Sequence, residues 1–251
     1  MSLGIIIQAR MESKRLPGKV YKKILGKHLL EWVILRTQKS KLIQKIVVAI
    51  PDTEKSSVLL PVIKKSKVAF YQGSSDDVLD RYIKTAEKFQ IDPVVRITAD
   101  CPLIDWRIID DAIGIFKKGN YEYLVNDVSF GGYSPGFDLD ILFLETLKKI
   151  AKLTDEKRHK EHVITFPLEH PELFKIKYYK APKNLYRQNY RLCVDEKPDL
   201  TLMRKVFGHF EPSEDFSAQE IIEYLDENPQ VADINTEIKH NYAVPLKRKK
   251  S

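Results

Sequence analysis

The chain has 251 residues, of which 43% are hydrophobic, so it is long and apolar enough to bury a complete core as one domain. Its formal net charge at neutral pH is +7, but four of the cations lie in the final segment LKRKKS, and the rest is close to balanced. We therefore expect one domain over residues 1–245 and a disordered basic tail over residues 246–251. The sequence lacks the interleaved aromatic and basic residues that bind single strands, which disfavours a nucleic-acid partner.

Cysteine and histidine usage restricts the kinds of site that the chain can form. Cys101 and Cys193 are too few for a thiolate zinc site or a disulfide framework, and they fit a reducing compartment. The six histidines show no HxH or HxxxH spacing, which disfavours a zinc enzyme, and His159 and His162, one helical turn apart, leave a metal site only as a weak alternative. No apolar run has the length of a membrane span, and the start MSLG lacks the pattern of a signal peptide. We expect a cytoplasmic protein without membrane insertion.

Short β-branched runs alternate with amphipathic segments through the first half of the chain, a pattern typical of βαβ units and a parallel sheet. The predicted strands of this half lie over residues 5–7, 45–51, 68–71 and 94–97. The predicted helices lie over residues 29–42, over 52–65 around Pro61, after a cap at Ser75 or Asp76, and over 106–117 after a cap at Asp105. In the second half, strands are predicted over 121–126, 174–179 and 192–194, and helices over 143–153, 200–207 and 218–225.

The stretch IIIQARMESKRLPGK, residues 5–19, places a loop dense in cations directly after the first predicted strand. Arginine offers a planar fork to phosphate oxygens and lysine a compact mobile charge, so such a loop suits a polyphosphate. Open α/β sheets bind ligands at the carboxyl ends of their strands, which is where this loop lies. The alternative is a solvated surface loop, and neither GxxxxGK[ST] nor GxGxxG occurs. The cations are Arg10, Lys14, Arg15 and Lys19.

This stretch resembles the signature loop of the cytidylyltransferases that activate sugar acids, the family of the acylneuraminate and 3-deoxy-manno-octulosonate cytidylyltransferases. It is most similar to their spore-coat polysaccharide branch. The resemblance covers nearly the whole chain and implies a single Rossmann-like α/β domain with a mainly parallel sheet, of the nucleotide-diphospho-sugar transferase type, and a homodimer. By this resemblance the nucleotide is bound by Ala9, Arg10, Ser13, Arg15 and Lys19, and the catalytic residues are Arg10, Lys19 and Asp100.

Glu12 departs from the resemblance, because the family usually carries glycine or alanine at this position. A carboxylate about 4 Å from a triphosphate charge is repelled by roughly 4 kcal/mol at an effective dielectric constant near 20. Either Glu12 points away from the phosphates, or nucleotide binding is weakened or altered.

The segment GSSDDVLDR, residues 73–81, resembles a family element that lies beside the nucleotide. The resemblance gives Ser74, Ser75, Asp80 and Arg81 a role near the base. The alternative is structural, because serine and aspartate commonly cap a helix and Asp80 with Arg81 can form an exposed ion pair.

Two aspartates each follow a predicted strand, Asp100 after residues 94–97 and Asp195 after residues 192–194. Carboxylates at the carboxyl ends of parallel strands are well placed to hold Mg²⁺, which prefers oxygen ligands and bridges substrate phosphates. Taken alone, an aspartate after a strand is more often a cap or turn residue, but Asp105 is the better cap for the next helix. In the resembling family the two corresponding aspartates share the metal. We therefore expect Mg²⁺ at Asp100 and Asp195, and Cys101 and Cys193 nearby without binding it.

The glycine-rich segment SFGGYSPGFDLD, residues 129–140, predicts turns that bring the backbone close to a ligand, with Tyr133 and Phe137 available to pack on a sugar face. Asp138 matches an aspartate of the family's sugar-binding pattern, and Pro135 replaces another. A purely structural loop remains the alternative. Residues 155–166 resemble a family element ending in Glu-His-Val, here with Glu161 and His162.

The resemblance implies an enzyme that couples CTP to a sugar acid and releases pyrophosphate, giving a CMP-sugar for a surface polysaccharide or glycan. The alternative is a glycosyltransferase of the same architecture that uses a nucleotide-sugar donor. The RxxxxRLPGK spacing of the loop favours the first, because a donor-sugar enzyme has no triphosphate to hold.

Overall fold

The fold is organised around β1, the strand that precedes the basic loop. The computed structural model describes residues 1–238, so the predicted tail over 246–251 lies outside the described residues. The strands are β1 Ser2–Gln8, β2 Lys23–Ile24, β3 Lys27–His28, β4 Lys45–Pro51, β5 Ala69–Gly73, β6 Ile91–Thr98, β7 Tyr123–Val125, β8 Asp140–Leu142 and β9 Ile176–Tyr178. Seven of them form one sheet in the order β5-β4-β1-β6-β8-β7-β9, and β2 pairs with β3 in a separate hairpin.

The sheet is mainly parallel, as predicted. The pairs β4–β5, β1–β4, β1–β6 and β7–β9 are parallel, whereas β8 runs antiparallel to both β6 and β7. Strand β8 was not predicted, because its three residues follow the glycine-rich turns directly and are too short to show a period. The chain is one α/β domain over the described residues.

Helices cover both faces of the sheet. They are α1 Leu29–Thr37, α2 Glu54–Ser57, α3 Leu60–Lys65, α4 Val78–Phe89, α5 Trp106–Lys118, α6 Leu144–Leu153, α7 Lys157–Glu161, α8 Thr165–Glu169, α9 Lys197–Phe210, α10 Ala218–Glu227 and α11 Pro229–Ala232. Because side chains alternate along a strand, Ile5 and Ile7 pack into the core with α1, α5, α9 and α10, whereas Ile6 packs into the core with α4 and α6. No helix within residues 1–238 combines the length and apolar character needed to cross a bilayer.

Several predicted boundaries are confirmed and others are wrong. Asp105 caps α5 as predicted, accepting a hydrogen bond from the Arg107 N–H. The helix predicted over 52–65 is two short helices, because Pro61 sits in the first turn of α3 and cannot extend α2. The cap predicted at Ser75 or Asp76 is wrong, since Asp77 accepts from the Asp80 N–H at the start of α4.

The strand predicted over 192–194 is also wrong. These residues form no strand, and two backbone hydrogen bonds hold them in a loop: Leu192 N–H donates to the Pro135 carbonyl at 2.6 Å and Val194 N–H to the Asp100 carbonyl at 2.8 Å. The loop therefore runs beside the segment that follows β6, and this contact brings the residue after Val194 to the carboxyl end of the sheet.

Candidate active site

A large cavity opens at the carboxyl ends of the strands, where an open α/β sheet binds its ligands. Its volume is about 1010 Å³, enough for a nucleotide and a second small molecule. The basic loop, here residues 9–19, forms one side of it. Most predicted site residues line the cavity: Ala9, Arg10, Ser13, Arg15, Lys19, Arg81, Asp100, Asp138 and Asp195.

Lys19 joins the two predicted metal-binding carboxylates. Its ammonium donates to Asp100 Oδ2 and, at 2.7 Å, to Asp195 Oδ1. Burial alone would lower the pKa of Lys19, but Asp100 and Asp195 outweigh it and raise the pKa above its usual value. Burial likewise opposes ionisation of Asp100, yet Lys19 lowers the pKa of that carboxyl to about 2. The three side chains therefore form a charged cluster on the cavity wall.

The local backbone explains how Lys19 reaches this position. Gly18 takes a left-handed conformation with φ 64°, which side chains other than glycine adopt at a cost. A short 3₁₀ helix begins at Lys19, and Val20 is buried behind it. The turn thus anchors the chain on its apolar side and directs the lysine towards the ends of the strands.

Asp195 is held by cations on both of its oxygens. Its Oδ2 accepts from Arg191 at 2.6 Å and lies 3.0 Å from an Arg15 nitrogen, while Oδ1 faces Lys19. The buried Asp199 carboxylate fixes this arrangement, because it accepts from Arg191 Nε at 2.9 Å and from the Asp195 N–H at 2.9 Å. Asp195 thus lies in a loop that is hydrogen-bonded to Asp199 in the first turn of α9, and this loop places it near Asp100.

The other cations of the basic loop are more exposed. Arg10 lies on the rim and pairs with Glu161 of α7 at 3.0 Å, with about half of each side chain exposed. Arg15 also contacts Glu196 at 3.3 Å. Ser13 accepts a long hydrogen bond from the Leu16 N–H at 3.4 Å, so its hydroxyl supports the loop itself. Such exposed pairs contribute little to stability, and these arginines are free to exchange their partners for phosphate oxygens.

Glu12, although it belongs to the basic loop, points towards the start of α2. Its carboxylate accepts from the Thr53 hydroxyl at 3.3 Å and from the Ser56 hydroxyl at 3.5 Å. Of the two alternatives drawn from the sequence, these bonds favour a carboxylate that points away from the phosphates, although Glu12 still lines the cavity.

The segment that leads into α4 contributes Arg81 and leaves Ser75 outside. Arg81 is buried, donates to the Ser74 carbonyl, and lines the cavity. Ser75 is exposed, bonds Asp76, and is absent from the cavity lining. Asp80 forms an ion pair with Lys84 at 2.9 Å on the helix surface. The structure therefore brings one of these predicted residues to the cavity.

The two predicted sugar-binding residues have different surroundings. Asp138 lines the cavity, and its Oδ1 is buried without a hydrogen-bond partner. Burial raises the pKa of this carboxyl well above its usual value. Tyr133, in contrast, is buried in the core, shares a hydrogen bond of 2.8 Å with the Tyr179 hydroxyl, and does not line the cavity. The expectation that Tyr133 packs on a sugar face does not fit this position, because its ring is covered by protein.

Arg96 is a cavity residue that the sequence analysis missed. It lies in β6, donates to Asp140 Oδ2 at 2.7 Å, and has a buried Nε without a partner. Asp140 is held in turn by the Tyr123 hydroxyl at 2.6 Å. The sequence feature that points to Arg96 is its place inside the apolar run VVRIT, since a charged side chain within a buried strand needs a partner.

The residues present fit a magnesium ion. Asp100 and Asp195 already converge on one positive charge, the Lys19 ammonium. No group of three or more potential ligands occurs among residues 1–238, so two carboxylates would need substrate oxygens to complete the shell, as is usual for Mg²⁺. Cys101 and Cys193 line the same cavity as free thiols, and burial raises the pKa of both well above the usual value, which disfavours the thiolate form that binds metals.

Comparison with known proteins identifies the family. A cytidylyltransferase family profile matches residues 4–239. The chain belongs to the cytidylyltransferase family. The spore coat polysaccharide biosynthesis protein SpsF of Bacillus subtilis is 31% identical over 233 residues, covering 90% of this chain and 95% of that protein. These matches confirm the resemblance seen in the loop and make the chain a CTP-dependent enzyme.

Two further matches support this cytidylyltransferase assignment. The structure of a cytidylyltransferase from Leptospira borgpetersenii serovar Hardjo-bovis superposes with a TM-score of 0.88 at 31% identity, covering 96% of this chain and 100% of that one. The 3-deoxy-manno-octulosonate cytidylyltransferase of Geobacter metallireducens is 31% identical over 113 residues, which is 45% of this chain and 44% of that enzyme.

Proposed function

We propose that this cytidylyltransferase transfers the CMP group of CTP to a hydroxyl of a sugar acid, giving a CMP-sugar and pyrophosphate for polysaccharide or glycan synthesis. The observation that carries the proposal is the cluster of Lys19, Asp100 and Asp195 beside the basic loop in one cavity. The similarity to SpsF and to a 3-deoxy-manno-octulosonate cytidylyltransferase supports the choice of substrate class.

In the proposed reaction the sugar hydroxyl oxygen attacks the α-phosphorus and gives up its proton to solvent, and the bond from that phosphorus to the oxygen bridging to the β-phosphate breaks as pyrophosphate leaves. Such in-line transfers gain most from positioning and from neutralisation of charge. Arg10, Arg15 and Lys19 would hold the triphosphate, because all three line the cavity and, within residues 1–238, form ion pairs with carboxylates that phosphates can replace. These cations would then stabilise the charge that develops on the leaving group.

Asp100 and Asp195 would hold Mg²⁺. Such an ion would supply positive charge to neutralise the α-phosphate and would help to orient the attacking hydroxyl. Asp100 is fixed at the end of β6 by its backbone contact with Val194, and Asp195 is fixed by Arg191. The protein thus presents two preformed ligands, and Lys19, which contacts both carboxylates, would have to turn towards the phosphates when the ion binds.

The proposal is tested by pyrophosphate release from CTP with Mg²⁺ and a panel of nonulosonic and 3-deoxy-ulosonic acids, with neutral hexoses as the comparison. We expect release with one acid of the panel, and a loss of at least about 100-fold in Asp100→Asn. Asp155→Asn is the matched control, since the Asp155 side chain is 98% exposed and lies outside the cavity lining. Release with hexoses alone, or turnover of a nucleotide-sugar without any CTP reaction, would contradict the proposal.

A further inference from the structure

The cavity has a cationic half and an acidic half on either side of Asp100. The segments after β1, β4 and β5 contribute the cations Arg10, Lys55 and Arg81, and we call their side the nucleotide half. The segments beside β7 and β8 contribute Asp127 and Asp138. A triphosphate is a polyanion, so its favourable position is over the cations of the basic loop, and the base of the nucleotide then lies among the other groups of that half, which include Glu12 and Arg81.

The segments after β1, β4 and β5 line the nucleotide half of the cavity. Among their lining residues within residues 1–238, Glu12 is the one that carries a carboxylate. Its bonds to Thr53 and Ser56, at 3.3 and 3.5 Å, are longer than the usual 2.5–3.0 Å of bonds from a hydroxyl. A carboxylate has about four lone-pair directions, so Glu12 keeps acceptor capacity for a ligand. The two weak hydrogen bonds from hydroxyls orient the Glu12 carboxylate and leave it able to accept further hydrogen bonds.

Arg81 supplies donors in the same half. Its side chain is buried, one terminal nitrogen donates to the Ser74 carbonyl, and Nε is buried without a partner. Burial lowers the pKa of Arg81, and Glu12 is among the carboxylates near enough to oppose this effect. Both residues line the cavity from this half, so together they offer a nucleotide base an acceptor and a set of donors.

Cytosine and uracil differ at the edge that such a pair would read. Cytosine carries an amino group at position 4 and an acceptor nitrogen at position 3, whereas uracil carries a carbonyl oxygen and an N–H there. Carboxylates accept hydrogen bonds from the cytosine amino group, and a uracil oxygen offers them no proton. We propose that Glu12 and Arg81 together recognise the cytosine edge of the nucleotide and select CTP over UTP. This inference rests on the proposed function, since it assumes a nucleotide in this half.

The test compares the dissociation constants of CTP and UTP by calorimetry with Mg²⁺ for the full chain and its variants. We expect the wild-type protein to prefer CTP by about tenfold or more. Glu12→Gln carries both an acceptor and a donor, so it should accept either base and lose most of this ratio. Glu54→Gln is the matched control: Glu54 is exposed at the start of α2, outside the cavity lining, and its replacement removes the same charge.

The ratio of the two constants is the informative quantity, because loss of a negative charge strengthens the binding of both triphosphates alike. A ratio that collapses in Glu12→Gln and persists in Glu54→Gln supports the inference. A ratio that is unchanged in Glu12→Gln, or a wild-type protein that binds CTP and UTP equally, overturns it and leaves the proposed function standing. A wild-type protein that binds neither nucleotide overturns both.

Discussion

Replacing Lys19 by methionine removes a cation that contacts both Asp100 and Asp195 and keeps a side chain of similar length. The pKa of Asp100 lies at about 2 rather than at its ordinary 3.8, because Lys19 outweighs the effect of burial. This difference corresponds to about 2 kcal/mol of folding free energy at neutral pH. We therefore expect Lys19→Met to unfold about 2 kcal/mol more easily, or roughly 4–8 °C lower, in the absence of metal.

The lowered pKa of Asp100 also predicts how the stability difference between wild type and Lys19→Met changes with pH. Because the folded pKa of Asp100 is lowered, its contribution is present above about pH 4 and is lost as the pH falls towards 2. Urea denaturation with a chelator between pH 7 and pH 3 should therefore show a difference between wild type and Lys19→Met that shrinks as the solution is acidified. Lys14→Met is the control, since Lys14 is exposed on the same loop. An equal loss in both variants, or a difference that does not change with pH, would refute the reasoning.

Two further predictions concern the wall opposite the basic loop. Gly136→Ala should destabilise the protein by at least about 3 kcal/mol in urea denaturation, because Gly136 has φ 112° and an added Cβ would lie 2.1 Å from the Leu192 carbonyl oxygen. Gly208→Ala is the control: this glycine lies on α9 with open space around it, so its replacement should be neutral or slightly stabilising. Asp138→Asn should become more stable relative to wild type as the pH rises above about 4, because burial raises the pKa of Asp138 and ionisation then costs stability. Thermal melts over a pH series check this, and a difference that stays constant above pH 4 would contradict it.

The first half of the fold is largely readable from the sequence because its signals are local. The run at residues 45–51 is the observed strand β4 Lys45–Pro51, and the helix after Asp105 begins at Trp106 as expected. Both depend on β-branched content and on a capping residue, which act within a few positions along the chain. The helix predicted over residues 52–65 divides at Pro61. The cap of α4 lies one or two residues after the predicted position, since neighbouring serines and aspartates offer equivalent caps.

The second half depends on contacts between distant residues. Asp195 reaches Asp100 as expected, but through a loop bonded to Asp100 and Pro135 instead of a strand, and no local period distinguishes the two. Strand β8 forms because β6 and β7 supply its partners on both sides. Tyr133 looks like a ligand-stacking residue in the sequence, whereas its pairing with Tyr179 becomes visible only in the fold.

If the cluster of Lys19, Asp100 and Asp195 lies where CTP and its metal bind, nucleotides should stabilise the protein in a metal-dependent way. Thermal melts of the full chain should be recorded with CTP, UTP, GTP, ATP and common nucleotide-sugars, each with Mg²⁺ and with a chelator. A nucleotide at about 100 times its dissociation constant adds roughly 2.7 kcal/mol of stability. We predict such a gain with CTP and Mg²⁺ together, and its loss with the chelator or in Asp100→Asn. No gain with CTP, or an equal gain with the chelator present, would contradict the account.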